Sequence, residues 1–291
     1  MNVNPIEASR SIGAILVDAG KLSPGDVDRI LSTQRERGLT FGEAAVKLKL
    51  LSFQDVQFAL ARQHDYPYLL EGEGSISDEL VAAYQPFSHK VEGLRALRSE
   101  LVLRWFTGEE RQRTLAVASP GRGEGRSYLA ANLAVVFSQL GEHTLLIDAD
   151  MRHPRQHALF NLDNRSGLSS ALSNRGQSDD IRRIPSFRDL SVLSAGPVPP
   201  NPQELLGRPL FAKLLDKVAK EFDVILIDTP AASEYADVQT IAVRAHGALL
   251  LARVRETRIA YLRHLAGTLT QSGVAVVGSV INEAVAEKKK R

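Results

Sequence analysis

Ser119-Pro120-Gly121-Arg122-Gly123-Glu124-Gly125-Arg126-Ser127 lies between an apolar run, Thr114 to Ala118, and a segment in which Leu129, Leu133, Val136 and Leu140 recur at helical spacing. A Gly-rich turn between strand and helix points backbone N–H groups inward. The helix N-terminus adds favourable partial charge, and together these suit a phosphate. The P-loop pattern closes on Gly-Lys-Ser/Thr, and this chain closes on Gly125-Arg126-Ser127. Arginine keeps the positive charge of the usual lysine but is planar and forked, so the two are not equivalent at a phosphate. A turn of this composition is often only a tight turn. The rest of the chain decides between the two readings.

From residue 91 onward, helical patterns alternate with short apolar runs at 114–119, 144–150, 190–195, 223–229, 247–254 and 275–281. That alternation predicts an α/β fold, a parallel P-loop sheet with helices on both faces. Ligands of such sheets bind at the carboxyl ends of the strands. Acidic residues stand there: Leu145-Leu146-Ile147 runs into Asp148-Ala149-Asp150-Met151-Arg152, and Val224 to Ile227 runs into Asp228-Thr229-Pro230. The period-2 pleat of a strand predicts Asp148 and Asp150 on one side. An aspartate at such an end can hold Mg²⁺ while Ser127 ligates it from the loop. One acid at a strand end reflects the polarity of loops. Three of them beside the Gly-rich turn point to a nucleotide.

On these motifs, residues 89–282 resemble the bacterial tyrosine kinases of exopolysaccharide synthesis, relatives of the MinD/ParA ATPases. The whole chain looks like the EpsG-type chain-length-determinant kinases. Ser119–Ser127 stands as Walker A, Leu146–Arg152 as Walker A′ and Val224–Pro230 as Walker B, and Gly196-Pro197-Val198-Pro199-Pro200-Asn201-Pro202-Gln203-Glu204-Leu205-Leu206 is close to the kinases' own signature. The resemblance implies ATP and Mg²⁺ as cofactors and a membrane polysaccharide co-polymerase as partner. It sets Gly121, Gly123, Glu124, Gly125, Arg126, Ser127 and Tyr128 along the nucleotide, with Asn282 at the adenine. It makes Asp148 the acceptor of the tyrosine proton, Asp150 and Asp228 with Ser127 the holders of Mg²⁺, and Arg126 and Arg152 the supporting cations. Glu92, Arg95 and Arg98 reproduce a Glu-x-x-Arg-x-x-Arg motif on one helix face, beside an apolar face of Leu94, Leu97 and Leu101. In the family this helix contacts the next subunit of a ring, so a homo-oligomer is expected.

Two departures qualify the resemblance. Arg126 replaces the Walker lysine, and the stretch from Asn282 to Arg291 contains no tyrosine, where many of these kinases carry a phosphorylated cluster. The six tyrosines are scattered at 66, 68, 84, 128, 235 and 261. A nucleotide-binding assembly regulator with little kinase activity is therefore the alternative. A ParA-like positioning ATPase is a second one, disfavoured because Gly121 stands where that class has a further lysine. His153 and His157 are four apart, but Pro154 interrupts them and no acid completes a zinc motif.

Residues 12–34 and 41–63 read as two copies of one unit: Gly13, Leu22, Val27, Leu31 and Gln34 fall on Gly42, Leu51, Val56, Leu60 and Gln63. This duplication predicts a small all-helical domain over 1–70, a linker over 71–88, the nucleotide-binding domain over 89–284 and a basic tail over 285–291. The first domain resembles the amino-terminal domain of type II secretion and pilus ATPases, in some of which the duplicated motif binds cyclic di-GMP. Here Lys49 fills a glycine site and each copy lacks the motif's arginine, so docking of a protein is favoured over that ligand. A net charge of +2 argues against nucleic acid. The absence of cysteine fits a reducing compartment, and no apolar run has signal-peptide or membrane-spanning length; a cytoplasmic protein, reaching the membrane through its partner, is expected.

Overall fold

The computed structural model describes residues 11–63, 66–69, 74–173 and 180–283, so the basic tail lies outside the described residues. The chain divides into two compact units, Met1–Leu70 and Glu71–Arg291.

The first unit holds α1 (Ile12–Asp18), α2 (Pro24–Arg37), α3 (Phe41–Lys47) and α4 (Phe53–Gln63) around a core that includes Leu16, Ile30, Ala44, Ala45 and Ala59. Its duplication is visible in the caps. Ser23 and Asp26 satisfy each other's backbone N–H groups at the start of α2, and Ser52 and Asp55 do the same at the start of α4. The turn after each short helix contains a left-handed residue, Gly20 at φ 68° and Lys49 at φ 56°. That conformation explains the glycine of the repeat, and a side chain there costs on the order of 1–2 kcal/mol.

The second unit contains α5 (Val81–Tyr84), α6 (His89–Arg104), β1 (Thr114–Ala118), α7 (Arg126–Ser138), β2 (Thr144–Asp148), α8 (Gln156–Leu159), α9 (Leu168–Leu172), β3 (Ile181–Arg183), β4 (Leu190–Leu193), α10 (Pro202–Gly207), α11 (Pro209–Val218), β5 (Val224–Asp228), α12 (Asp237–Ala245), β6 (Gly247–Arg253), α13 (Ile259–Gln271) and β7 (Ala275–Asn282). The strands form one sheet in the order β3-β4-β2-β5-β1-β6-β7, parallel except for β3 against β4. Every residue of β1, β2 and β5 is buried, as expected of strands covered on both faces. The six apolar runs are all strands. β3 escapes a periodicity reading because it is three residues long and two of them are arginines.

Two differences from expectation bear on the site. β1, β2 and β5 stop at Ala118, Asp148 and Asp228, so Ser119, Asp150 and Thr229 belong to loops. The stretch from residue 74 to 88, whose Gly, Ser and Pro content reads as a linker, is packed against α7. Asn132, fully buried on α7, accepts from Ala82 N at 3.0 Å and donates to Glu79 O at 3.1 Å. α7 is buried almost all round, which suits its apolar composition. At the opposite end of the sheet, the Trp105 indole N–H donates to Thr114 O at 3.0 Å. Its ring lies where a side chain on Gly247 would have to go.

Candidate active site

The Gly-rich loop joins β1, at the centre of the sheet, to α7. Gly125 takes φ 102° at the N-cap of α7, and the Asn282 amide lies directly behind it, so neither the conformation nor the space admits a side chain. A cavity of about 390 Å³ opens over this loop. Gly123, Gly125, Arg126, Ser127 and Tyr128 line one side of it, with Arg122 at the rim, and Asp150, His153, Pro154 and Arg155 line another.

Arg126 is only 7% exposed and grips the loop's own frame. Its Nε donates to Thr229 O at 2.8 Å, and one terminal nitrogen donates to Gly121 O at 2.5 Å and to Ser119 Oγ. The guanidinium thus joins the loop to the end of β5, which a lysine, lacking the fork, cannot do in the same way. Gly121 and Glu124 turn out to face the protein. Gly121 N donates to Glu124 Oε2 at 2.7 Å, and the other Glu124 oxygen accepts from Thr257 Oγ1. Asn282 Nδ2 donates to Glu124 O at 3.0 Å, and Arg253 donates to Gly123 O at 2.9 Å. Gly121, Glu124 and Asn282 thus shape the loop from behind and are not among the residues lining the cavity.

The two A′ aspartates part company, because the pleat ends with β2. Asp148 is fully buried and pairs in register with Asp228 of β5. Its Oδ2 accepts from Arg155 N at 3.0 Å and Gln156 N at 2.9 Å, whereas Oδ1 has no protein partner. Asp150 reaches the cavity wall instead, its Oδ1 accepting from His153 N at 2.9 Å and Arg152 N at 3.3 Å. Asp228 Oδ2 accepts from Gln156 Nε2 at 2.8 Å, Ser127 also hydrogen-bonds this carboxylate, and Oδ1 is left without a partner. Burial first, and then the Asp228 carboxylate, push Asp148 well above the usual carboxylate range; burial also raises Asp228. The unpartnered Asp228 oxygen, the Asp150 carboxylate at the cavity wall and the Ser127 hydroxyl form an oxygen-rich donor set that suits Mg²⁺. Among the described residues no three or more His, Asp and Glu gather as a metal site of their own, so phosphate oxygens would have to complete the shell.

Arg152 turns away from the phosphate side. It forms a bidentate pair with Asp237 at 2.8 and 3.3 Å, and its guanidinium stacks 3.9 Å from the centre of the Tyr235 ring. It ties the A′ loop to the start of α12. The Glu92 carboxylate pairs with Arg95 within α6, and Arg98 donates to Val136 O at 2.7 Å near the end of α7. Gln156, Asp237, Tyr235 and Arg155 are the site residues that sequence reasoning missed. Gln156 holds Ser127 O, Asp228 and, through its backbone, Asp148, yet a lone glutamine beyond a motif gives no signal. Asp237, in the first turn of a helix, reads as an ordinary dipole partner.

No protein-family model matches the chain. CapB of Staphylococcus aureus is 34% identical over 204 residues, which span 70% of this chain and 89% of that one. Tyrosine-protein kinase YwqD of Bacillus subtilis is 33% identical over 204 residues, spanning 70% and 85%. The chain belongs to the bacterial tyrosine-protein kinases. The kinase domain of the Escherichia coli tyrosine kinase ETK superposes with a TM-score of 0.68 at 27% identity, over 78% of this chain and 88% of that one. The chimerical protein CapA2B2 superposes at 0.66 and 33%, over 77% and 96%. The cell-division ATPase MinD of Pyrococcus furiosus, at 0.51 and 23% identity, shares the fold, over 58% of this kinase-family chain and 72% of MinD. No helix among the described residues is long and apolar enough to cross a membrane.

Proposed function

We propose that this chain transfers the γ-phosphoryl group of ATP to tyrosine, with Mg²⁺, as part of an exopolysaccharide chain-length and export system. The observation that carries the reading is the pair of buried carboxylates, Asp148 and Asp228, at adjoining strand ends beside the Ser127 end of the loop. Mg²⁺, held from Ser127, Asp150 and Asp228, would neutralise β- and γ-phosphate oxygens when bound with the nucleotide. The N–H groups of residues 123–127 point at the polyphosphate, and Arg126 holds them in place. Asp148 Oδ1 takes the acceptor tyrosine's proton; burial and the Asp228 carboxylate raise its affinity for protons, the direction a general base needs. Burial of the acids keeps water away from the transfer. Incubation of the chain with γ-labelled ATP and Mg²⁺, with and without the cytoplasmic segment of a co-polymerase partner, tests this. Label on tyrosine is expected; saturable nucleotide binding with no label in either arm would leave the assembly regulator instead. The commitment of Arg126 Nε and one terminal nitrogen to the loop frame favours that second reading to this extent.

Homo-oligomers forming through α6 belong to the same proposal. Arg95 and Arg98 are only partly exposed, and Arg98 also caps α7. Replacing both by alanine is expected to shift sedimentation towards monomer with ATP and Mg²⁺ present, while melting falls by only about 1 kcal/mol for the lost cap. A wild-type chain that stays monomeric with nucleotide would remove the interface role. The amino-terminal unit we assign to protein docking; saturable binding of cyclic di-GMP to the full chain in calorimetry would overturn that.

A further inference from the structure

The strap that runs over α7 ahead of α6 carries one charged contact into the rim of the nucleotide cavity. The Glu79 carboxylate pairs with the Arg155 guanidinium at 2.6 Å, and Arg155 lines the cavity opposite the Gly-rich loop. Glu79 is not a freely waving side chain. Its carbonyl accepts from the buried Asn132, its N–H donates to Ser77 Oγ at 3.2 Å, and Ser77 N donates to Leu159 O at 2.8 Å. Arg155 is anchored likewise, its N–H committed to Asp148. Both backbones are therefore pinned, and only the two side-chain ends are free to change partners.

We propose that Arg155 is a phosphate-contacting residue of this site and that Glu79 is the carboxylate with which a polyphosphate competes for it, an inference that rests on the nucleotide reading above. The side chains of Arg155 and Glu79 are 50% and 45% exposed, so their pair is a solvated one of small net strength. A polyphosphate carries more charge than one carboxylate and offers paired oxygens that match the guanidinium fork. Arg155 turns from Glu79 to the nucleotide without movement of either backbone. Arg126 has Nε and one terminal nitrogen committed to the loop and the end of β5, which leaves Arg155 as a second cation at the cavity with its side chain free to change partners. Glu79 then tunes affinity downward, and it does so from the segment through which the chain enters the kinase unit.

The test is equilibrium binding of a ribose-labelled fluorescent ATP, with Mg²⁺, to the full chain. Glu79→Gln, which keeps shape and removes charge, is expected to tighten binding about threefold, the scale of a lost solvated ion pair. Arg155→Ala is expected to weaken it about tenfold, as for one charge-assisted contact, with Arg155→Gln as a second variant of closer size. In the double variant the gain from Glu79→Gln should vanish, because its only route is through Arg155. A role of Glu79 in holding the strap alone would weaken binding in both backgrounds, and that result overturns the proposal. So does unchanged affinity in Arg155→Ala and Arg155→Gln. If the wild-type chain binds no nucleotide, the functional reading and this inference fall together. If it binds, and only the variants at 79 and 155 are silent, this inference alone fails.

Discussion

Asp148→Asn is expected to lose phosphotyrosine formation by about 10²–10⁴-fold while making the fold more stable. The two effects come from one geometry. An asparagine can keep its Oδ1 where Asp148 Oδ2 accepts from the Arg155 and Gln156 N–H groups, and it puts a neutral donor in place of a second carboxylate beside Asp228, whose Oδ1 lacks a partner. A buried like-charge neighbour becomes a neutral donor, and the carboxylate proposed to take the tyrosine proton is gone. The gain is on the order of 1–2 kcal/mol without nucleotide or metal, the scale of satisfying a buried polar atom. The sign with pH follows from the raised proton affinity of Asp148 in the folded state. The wild type has the full benefit below the unfolded carboxylate range and loses it as pH rises through the folded value. The stability gap should therefore widen from acid to neutral pH. Urea unfolding of both proteins across that range, beside a kinase assay, measures it. A variant that keeps full activity would exclude Asp148 as the base, and a variant less stable at neutral pH would contradict the packing argument.

Replacing Arg126 is expected to separate charge from scaffold. Arg126→Ala removes a buried cation and three hydrogen bonds, to Thr229 O, Gly121 O and Ser119 Oγ. ATP affinity should fall about a hundredfold, or roughly 2.7 kcal/mol. Arg126→Lys retains the charge and reaches the loop carbonyls, so affinity should stay within a few-fold. It has one nitrogen where arginine has several, however, so Thr229 O loses the donor that Nε supplies, and stability should drop by about 1–3 kcal/mol for that buried carbonyl. Calorimetric titration with ATP and Mg²⁺, paired with thermal melts, reads both quantities. Unchanged ATP affinity in the alanine variant would place Arg126 outside the site. A lysine variant as stable as wild type would show that the link to β5 is dispensable.

The sheet was legible because buried parallel strands announce themselves as continuous apolar runs, and the loop because glycine marks the places where backbone must turn left-handed. Gly125 shows both, in sequence and in φ. What could not be read was direction. Asp148 and Asp150 look equivalent by spacing, but the strand stops at the first of them, and the pleat no longer applies to the second. Arg152 has the charge to attend a phosphate, yet an acid 85 residues later holds it. Residues 74–88 carry the composition of a tether, yet Asn132 on α7 and Gln139 just after it hydrogen-bond to their backbone and fix them in place. Long-range partners of this kind leave no mark on local composition.

The single tryptophan lies at the other end of β1 from all of this, under the start of β6. Five strand residues, roughly 16 Å at 3.3 Å each, separate it from the Gly-rich loop. Its intrinsic fluorescence is thus a native gauge of the sheet's base, sensitive to loosening there and remote from whatever occupies the loop. An unlabelled sample reports unfolding through this one indole, while a ribose-borne dye reports occupancy in its own colour.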